Sequence, residues 1–135
     1  MTLAKVIVET NIISYIMKGH KLAKLYAPYL TGKLVAITFI TVAEMYYGAE
    51  KSQWGEQRRK KLESILRNFV VIPYDFEIAK CYARIVAARE RKGKPISFAD
   101  AWIAACAVRH AVPLVTHNVR HFEEIDGLEV ITKAG

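Results

Sequence analysis

The residues with the most chemical potential are acids placed where an acid is costly. The first fifty residues carry only three of them, Glu9, Glu44 and Glu50. Glu9 closes the apolar run Lys5–Val8 (KVIV), where a carboxylate loses hydration unless something compensates it. Glu44 falls in the first helical turn after the apolar run Val35–Phe39, Asp100 in the first turn after Ser97, and Asn118 directly after Leu114–Thr116. Ligands of open α/β sheets gather just beyond the carboxyl ends of the strands, and all four positions obey that rule. Three crowded carboxylates repel unless a cation neutralises them or some take up protons. Oxygen-only donors suit Mg2+ or Mn2+ rather than zinc or copper. Such an ion makes hydroxide from water and steadies the charge of a phosphoryl transition state. The chemistry indicated is metal-dependent phosphodiester cleavage, with Glu9, Glu44, Asp100 and Asn118 as the candidate residues.

Plainer roles compete for three of the four. Thr41-Val42-Ala43-Glu44 and Ser97 through Asp100 both have capping-box spacing, which accounts for either acid without chemistry. Asn118 after a strand suits a turn or a helix cap. Glu9 has no comparable structural role. Thr10 and Thr116 adjoin candidate ligand positions and are placed to orient the acids or a metal-bound water. His117 and His121 have i, i+4 spacing, which on a helix puts both on one face; with no third soft ligand they read as surface or nucleic-acid-contacting residues. The segment before the Asp100 helix supplies Arg89, Arg91, Lys92 and Lys94 as candidate nucleic-acid contacts at the same sheet edge. Arg58-Arg59-Lys60-Lys61 reads as a solvated helix face.

The elements that must hold these residues follow from the pattern. Lys5–Val8, Val35–Phe39, Phe69–Ile72 and Leu114–Thr116 are short, continuous and β-branched, as buried strands are, and Glu129–Ile131 is a weaker fifth. Helical patterns lie between them: one capped by Asn11 and ending at Gly19, one from about His20 to Leu30, one opened by Thr41, one from about Gly55 to Asn68, one capped by Asp75 and reaching Arg91, and one from Ser97 to His110. Tyr46, Tyr47 and Trp102 read as core residues. Continuous strands alternating with helices predict an α/β fold, a parallel sheet with helices on both faces. One domain spanning residues 1–135 accounts for the length.

Composition narrows the function class. With 20 Lys+Arg against 13 Asp+Glu, the formal charge of +7 favours a polyanionic partner. The N-terminal run lacks the long apolar core of a signal peptide, and no stretch is long enough to span a bilayer. Cys81 and Cys106 read as reduced core thiols. The expectation is a cytoplasmic protein. No glycine-rich loop follows the first strand, which disfavours a nucleotide-binding α/β domain of the flavodoxin kind.

Four segments carry a resemblance. Val8-Glu9-Thr10-Asn11-Ile12-Ile13-Ser14-Tyr15 resembles the opening "DTN" motif of PIN domains, specifically the VapC-type ribonuclease toxins of prokaryotic toxin–antitoxin pairs. Glu44-Met45-Tyr46-Tyr47-Gly48-Ala49, Ser97 through Ala105, and Leu114 through Phe122 are similar to the second, third and fourth motifs, in the family's order. The resemblance implies a PIN-like parallel sheet and a Mg2+- or Mn2+-dependent endoribonuclease acting on structured RNA such as tRNA or rRNA. It further implies a VapB-type antitoxin as partner, homodimers, and Glu9, Glu44 and Asp100 as the metal-binding acids. Two positions depart from the pattern. Glu9 stands where the family has Asp, which favours an alternative reading as a catalytically weakened binding module. Asn118 or His121 stands where the fourth motif often supplies an acid.

Overall fold

The computed structural model describes residues 3–134. Five strands, β1 (Lys5–Val8), β2 (Leu34–Thr38), β3 (Val70–Ile72), β4 (Leu114–Val115) and β5 (Val130–Ile131), pair in parallel in the order β3-β2-β1-β4-β5. Along β1, Val6 and Val8 join one core while Ile7 joins the other, because successive side chains of a strand point to opposite faces. Both faces must therefore be covered.

Helices α1 (Thr10–Lys18), α2 (Lys21–Tyr26), α3 (Phe39–Lys51) and α4 (Glu56–Leu66) carry the chain from β1 through β2 to β3. Helices α5 (Phe76–Arg91) and α6 (Phe98–His110) bring it back past β1 to β4. Right-handed crossovers that travel in opposite directions along a sheet put their helices on opposite faces. Accordingly Ile12, Ile13, Met17 and Leu62 pack with Val8 on one side, and Ile78, Ile85, Ile103 and Cys106 pack with Ile7 and Leu114 on the other. The direction reverses at β1, and a crevice opens beyond the carboxyl ends of β1 and β4.

Local chemistry sets the ends of the elements. Glu9, not Asn11, caps α1, its carboxylate accepting from the Asn11 N–H. Thr38, not Thr41, caps α3, accepting from the Thr41 N–H at 3.2 Å. β2 thus stops at Thr38, and Phe39 is the first helical residue. Gly19 ends α1 at φ +62, a left-handed turn that glycine adopts without steric cost. The helix expected from His20 to Leu30 is shorter. His20 caps α2 through Nδ1, and the chain tightens into a 3-10 turn at Ala27–Tyr29 around Pro28. Tyr46 and Tyr47 are exposed rather than core, since α3 turns Met45 and Ala49 inward. Trp102 is half-buried and stacks on Tyr82 with ring centroids 4.2 Å apart.

Of the two basic segments, one meets expectation and one does not. Arg58, Lys60 and Lys61 are exposed, as a solvated face should be, while Arg59 donates to the carbonyls of Trp54 and Ala49 and Lys61 also donates to that of Met17, tying α4 to its neighbours. Arg89 is no surface RNA contact. It is only 6% exposed, and its guanidinium donates to the carbonyls of Lys94, His121 and Glu123.

Asp75 caps α5, accepting from the Ile78 N–H at 2.7 Å, and pairs with Arg109 of α6 at 3.1 Å. The amide hydrogen bond chiefly, then Arg109, holds its carboxyl below the usual range. A depressed folded-state value stabilises above the unfolded value and is lost as pH falls through the folded one. Asp75→Ala should therefore lower Tm at pH 7, and the gap to the parent should close as the pH is taken down through the carboxylate range; a gap constant with pH would contradict this.

Candidate active site

Glu9 stands at the carboxyl end of β1, 5% exposed. One carboxylate oxygen, Oε2, accepts from the Asn11 N–H at 2.8 Å. The other, Oε1, accepts from the Thr116 hydroxyl at 3.0 Å, across the crevice between β1 and β4. Thr116 is in turn held by the Asn118 N–H at 3.0 Å. Burial pushes the Glu9 carboxyl above its ordinary value. The two hydrogen bonds oppose that rise, and the charges of Asp100 and Glu44 add to it. The three acids, far apart in sequence, feel one another.

Glu44 projects from α3 and is anchored by hydroxyls. Thr10 Oγ1 donates to Glu44 Oε1 at 2.6 Å and lies 2.9 Å from Thr41 Oγ1, which lies 3.5 Å from Thr38 Oγ1. Thr10 has one hydroxyl proton, given to Glu44, so Thr41 must donate to Thr10 and Thr38 to Thr41. Thr38 and Thr41 are fully buried, so the line of hydroxyls starts in the core and ends on the carboxylate. Asp100 sits in the first turn of α6, where its N–H donates to Ser97 Oγ at 3.2 Å. Its carboxylate Oδ2 lies 3.1 Å from His121 Nδ1. Neither Glu44 nor Asp100 plays the reciprocal part of a capping box; their carboxylates engage Thr10 and His121 instead.

Glu9, Glu44, Asp100 and Asn118 all line one cavity of about 590 Å³. Lys18 and His121 share its wall. Asn11 lies there too, its side-chain amide buried with neither polar atom partnered. In type, the donors fit a hard divalent cation: carboxylate oxygens, an amide, and an orphaned buried amide beside them. Among the described residues no three His, Cys, Asp or Glu side chains are drawn into a metal-binding group, Glu44 being held toward Thr10 and Asp100 toward His121.

None of Arg89, Arg91, Lys92 and Lys94 lines this cavity. Arg91 and Lys92 border a separate one beside α5, and Lys94 pairs with Glu124 at 2.7 Å. Arg89 ties the break after α5 to the 121–124 segment through the carbonyls of His121 and Glu123. The two histidines at i, i+4 do not share a helix face either. His117 precedes a 3-10 turn at Val119–Phe122 and bonds Tyr26 Oη through Nδ1 at 2.5 Å, while His121 turns to Asp100.

Two supports are absent from the sequence reading. Tyr26 is fully buried and accepts from the Lys133 N–H, joining α2 to the chain after β5 behind Thr116. The Thr38 to Thr41 hydroxyl line is the other. Its signal lies in the two threonines spaced three apart before Glu44, of which Thr41 reads as a helix cap and Thr38 as part of a strand.

The PIN-domain family profile matches residues 6–128. This chain belongs to the PIN-domain family. It is 34% identical over 124 residues to Ribonuclease VapC2 of Haemophilus influenzae, covering 92% of this chain and 94% of that one. It is 32% identical, over the same shares, to the tRNA(fMet)-specific endonuclease VapC of Shigella flexneri. The crystal structure of DNA-bound VapBC from Salmonella typhimurium superposes with a TM-score of 0.85 at 30% identity, covering 96% of this chain and 98% of that chain. The PIN domain described here has the VapC arrangement, a five-stranded parallel sheet with helices on both faces. None of its described helices is long and apolar enough to cross a membrane.

Proposed function

We propose that this PIN domain is an endoribonuclease toxin of the VapC type, acting on structured RNA at the acid cavity with a divalent ion, Mg2+ or Mn2+. The observation that carries the reading is the meeting of Glu9, Glu44 and Asp100 on one cavity at the point where the sheet reverses direction. When bound, the ion would supply a nucleophilic hydroxide and neutralise charge on the phosphate. Glu9, Glu44 and Asp100 would hold it, with Asn118 offering an uncharged oxygen. Thr116 and Asn11 fix the Glu9 carboxylate, Thr10 fixes that of Glu44, and His121 that of Asp100. Lys18 supplies positive charge on the same wall for an RNA phosphate.

The VapBC complexes among the structural neighbours support a VapB-type antitoxin as partner, and the proposal has it block this cavity. Homodimer formation and a cytoplasmic location accompany the proposal. The naming of the Shigella flexneri relative makes tRNA the first substrate to try. Incubation of the purified chain with tRNA should give discrete fragments, and EDTA should abolish them. Fragments that persist undiminished in EDTA would exclude the metal-dependent mechanism.

Glu9 favours a second reading, a binding module with reduced turnover. Its side chain is one methylene longer than Asp, while metal–ligand distances tolerate only about ±0.2 Å. Glu9→Asp is expected to raise the cleavage rate by about tenfold or more, and Asp also serves well as an N-cap toward Asn11. Equal rates in the two forms would show that the cavity accommodates Glu, and the binding-module reading would lose its basis.

A further inference from the structure

A second cavity, of about 390 Å³, lies beside α5 on the face opposite α1 and α4. Its floor is apolar: Cys81 and Ile85 are buried, and Val108 and Ile125 half-buried. Its rim is basic. Arg84 and Arg91 sit seven residues apart on one face of α5, about 10 Å along the axis, with the small side chain of Ala88 between them. Neither guanidinium has a carboxylate partner among the described residues. Arg84 donates to Cys81 Sγ at 3.2 Å, a weak acceptor. Lys92 completes the rim, its Nζ donating to the Glu124 carbonyl at 3.2 Å. Of the two acids on the rim, Glu124 is already paired with Lys94, which leaves Asp126 alone against three cations.

An apolar floor under two free guanidinium groups suits a ligand with a flat apolar ring and a phosphate. The volume suits one such unit rather than a length of peptide, and the Arg fork matches phosphate oxygens in pairs. The segment 121–124 joins this cavity to the acid site. His121 lines the first, Glu124 the second, and Arg89 clamps the carbonyls of His121 and Glu123 between them.

We propose that the α5 cavity is a nucleotide subsite for an RNA strand that continues past the acid cavity, the base resting on Ile85, Val108 and Ile125 and the phosphate on Arg84 and Arg91. The source of the nucleotide rests on the ribonuclease reading; the subsite itself does not.

The experiment compares the full chain with Arg84→Gln/Arg91→Gln, titrating each with AMP, inorganic phosphate, an Asp/Glu-rich peptide and tRNA. AMP should shift the amide resonances of Ile85, Val108 and Ile125, and the double variant should weaken that binding about tenfold. For tRNA cleavage, KM should rise about tenfold with kcat held. The slope of log affinity against log salt should shrink by about 0.7, the value for one lost single-strand phosphate contact. Both arginines are exposed, and Arg91→Gln alone repeats the test should the double variant fold poorly. No response to AMP, a response no stronger than that to phosphate, or seating of the peptide in place of AMP overturns the subsite. An unchanged KM and salt slope for tRNA overturns the strand path. A chain that never cleaves RNA would sink the ribonuclease reading, while the AMP shifts and RNA affinity would still report on the subsite.

Discussion

Asp100→Asn is expected to reduce RNA cleavage by at least about 100-fold and to leave the folded state intact. Removing an outer partner of a metal ligand costs about 10- to 100-fold, so a ligand should cost more. Stability should hold because the N–H of residue 100 still donates to Ser97 Oγ, and an amide oxygen can still face His121. The substitution also removes one of the charges that push the Glu9 carboxyl upward, which favours the folded state if anything. Cleavage of tRNA in excess Mg2+ and thermal unfolding, measured together, decide the matter. A loss under tenfold with an unchanged Tm would demote Asp100 to a supporting role.

Arg89→Ala should carry the largest stability cost of any basic residue, about 3 kcal/mol. Its guanidinium satisfies three backbone carbonyls from two separated segments, and hydrogen bonds to charged groups contribute about 1.5–3 kcal/mol each before the unpaired carbonyls are counted. Chemical denaturation of the variant reads the cost directly. Because the same guanidinium holds the carbonyl of His121, the His121 ring beside Asp100 should also lose its fixed position, visible as a broadened imidazole resonance. Arg89→Lys should recover only part of the loss, since one ammonium cannot span three acceptors in the planar geometry of the fork. A cost below about 0.5 kcal/mol for Arg89→Ala would mean that the three contacts contribute nothing to stability.

The strands show why much of the fold was readable. Lys5–Val8 has the same limits in the sequence pattern and in the structure, since a run of β-branched residues in a doubly covered sheet needs no tertiary information to be recognised. Ser97 and Asp75 were legible for a related reason: a cap acts on an N–H only three residues away. Where a cap competes with a strand end, local pattern fails. Thr38 ends β2 and Thr41 lies in the first turn of α3, and only the closure of β2 against β1 and β3 decides that Thr38 caps while Thr41 turns its hydroxyl to Thr10.

Arg89 illustrates the opposite limit. In sequence it is one of a row of exposed-looking basic residues. What buries it is the return of the 121–124 segment across the end of α5, a contact spanning more than thirty positions. The tyrosines after Glu44 mislead in the same way, because which face of α3 turns inward depends on the layers already in place.

Chain chemistry alone was enough to specify alternating β and α segments and to mark Glu9 as an acid costly to bury at a strand end, since both follow from near-neighbour sterics and hydration; that Glu9 also has an ordinary structural role, as the N-cap of α1, was missed. Only the assembled sheet decided that the Glu9 carboxylate is gripped from β4 by Thr116, that His121 rather than a helix cap faces Asp100, and that the cations beyond α5 border a different cavity. Those outcomes depend on the strand order and on which crossover covers which face, and no local stretch of residues encodes them.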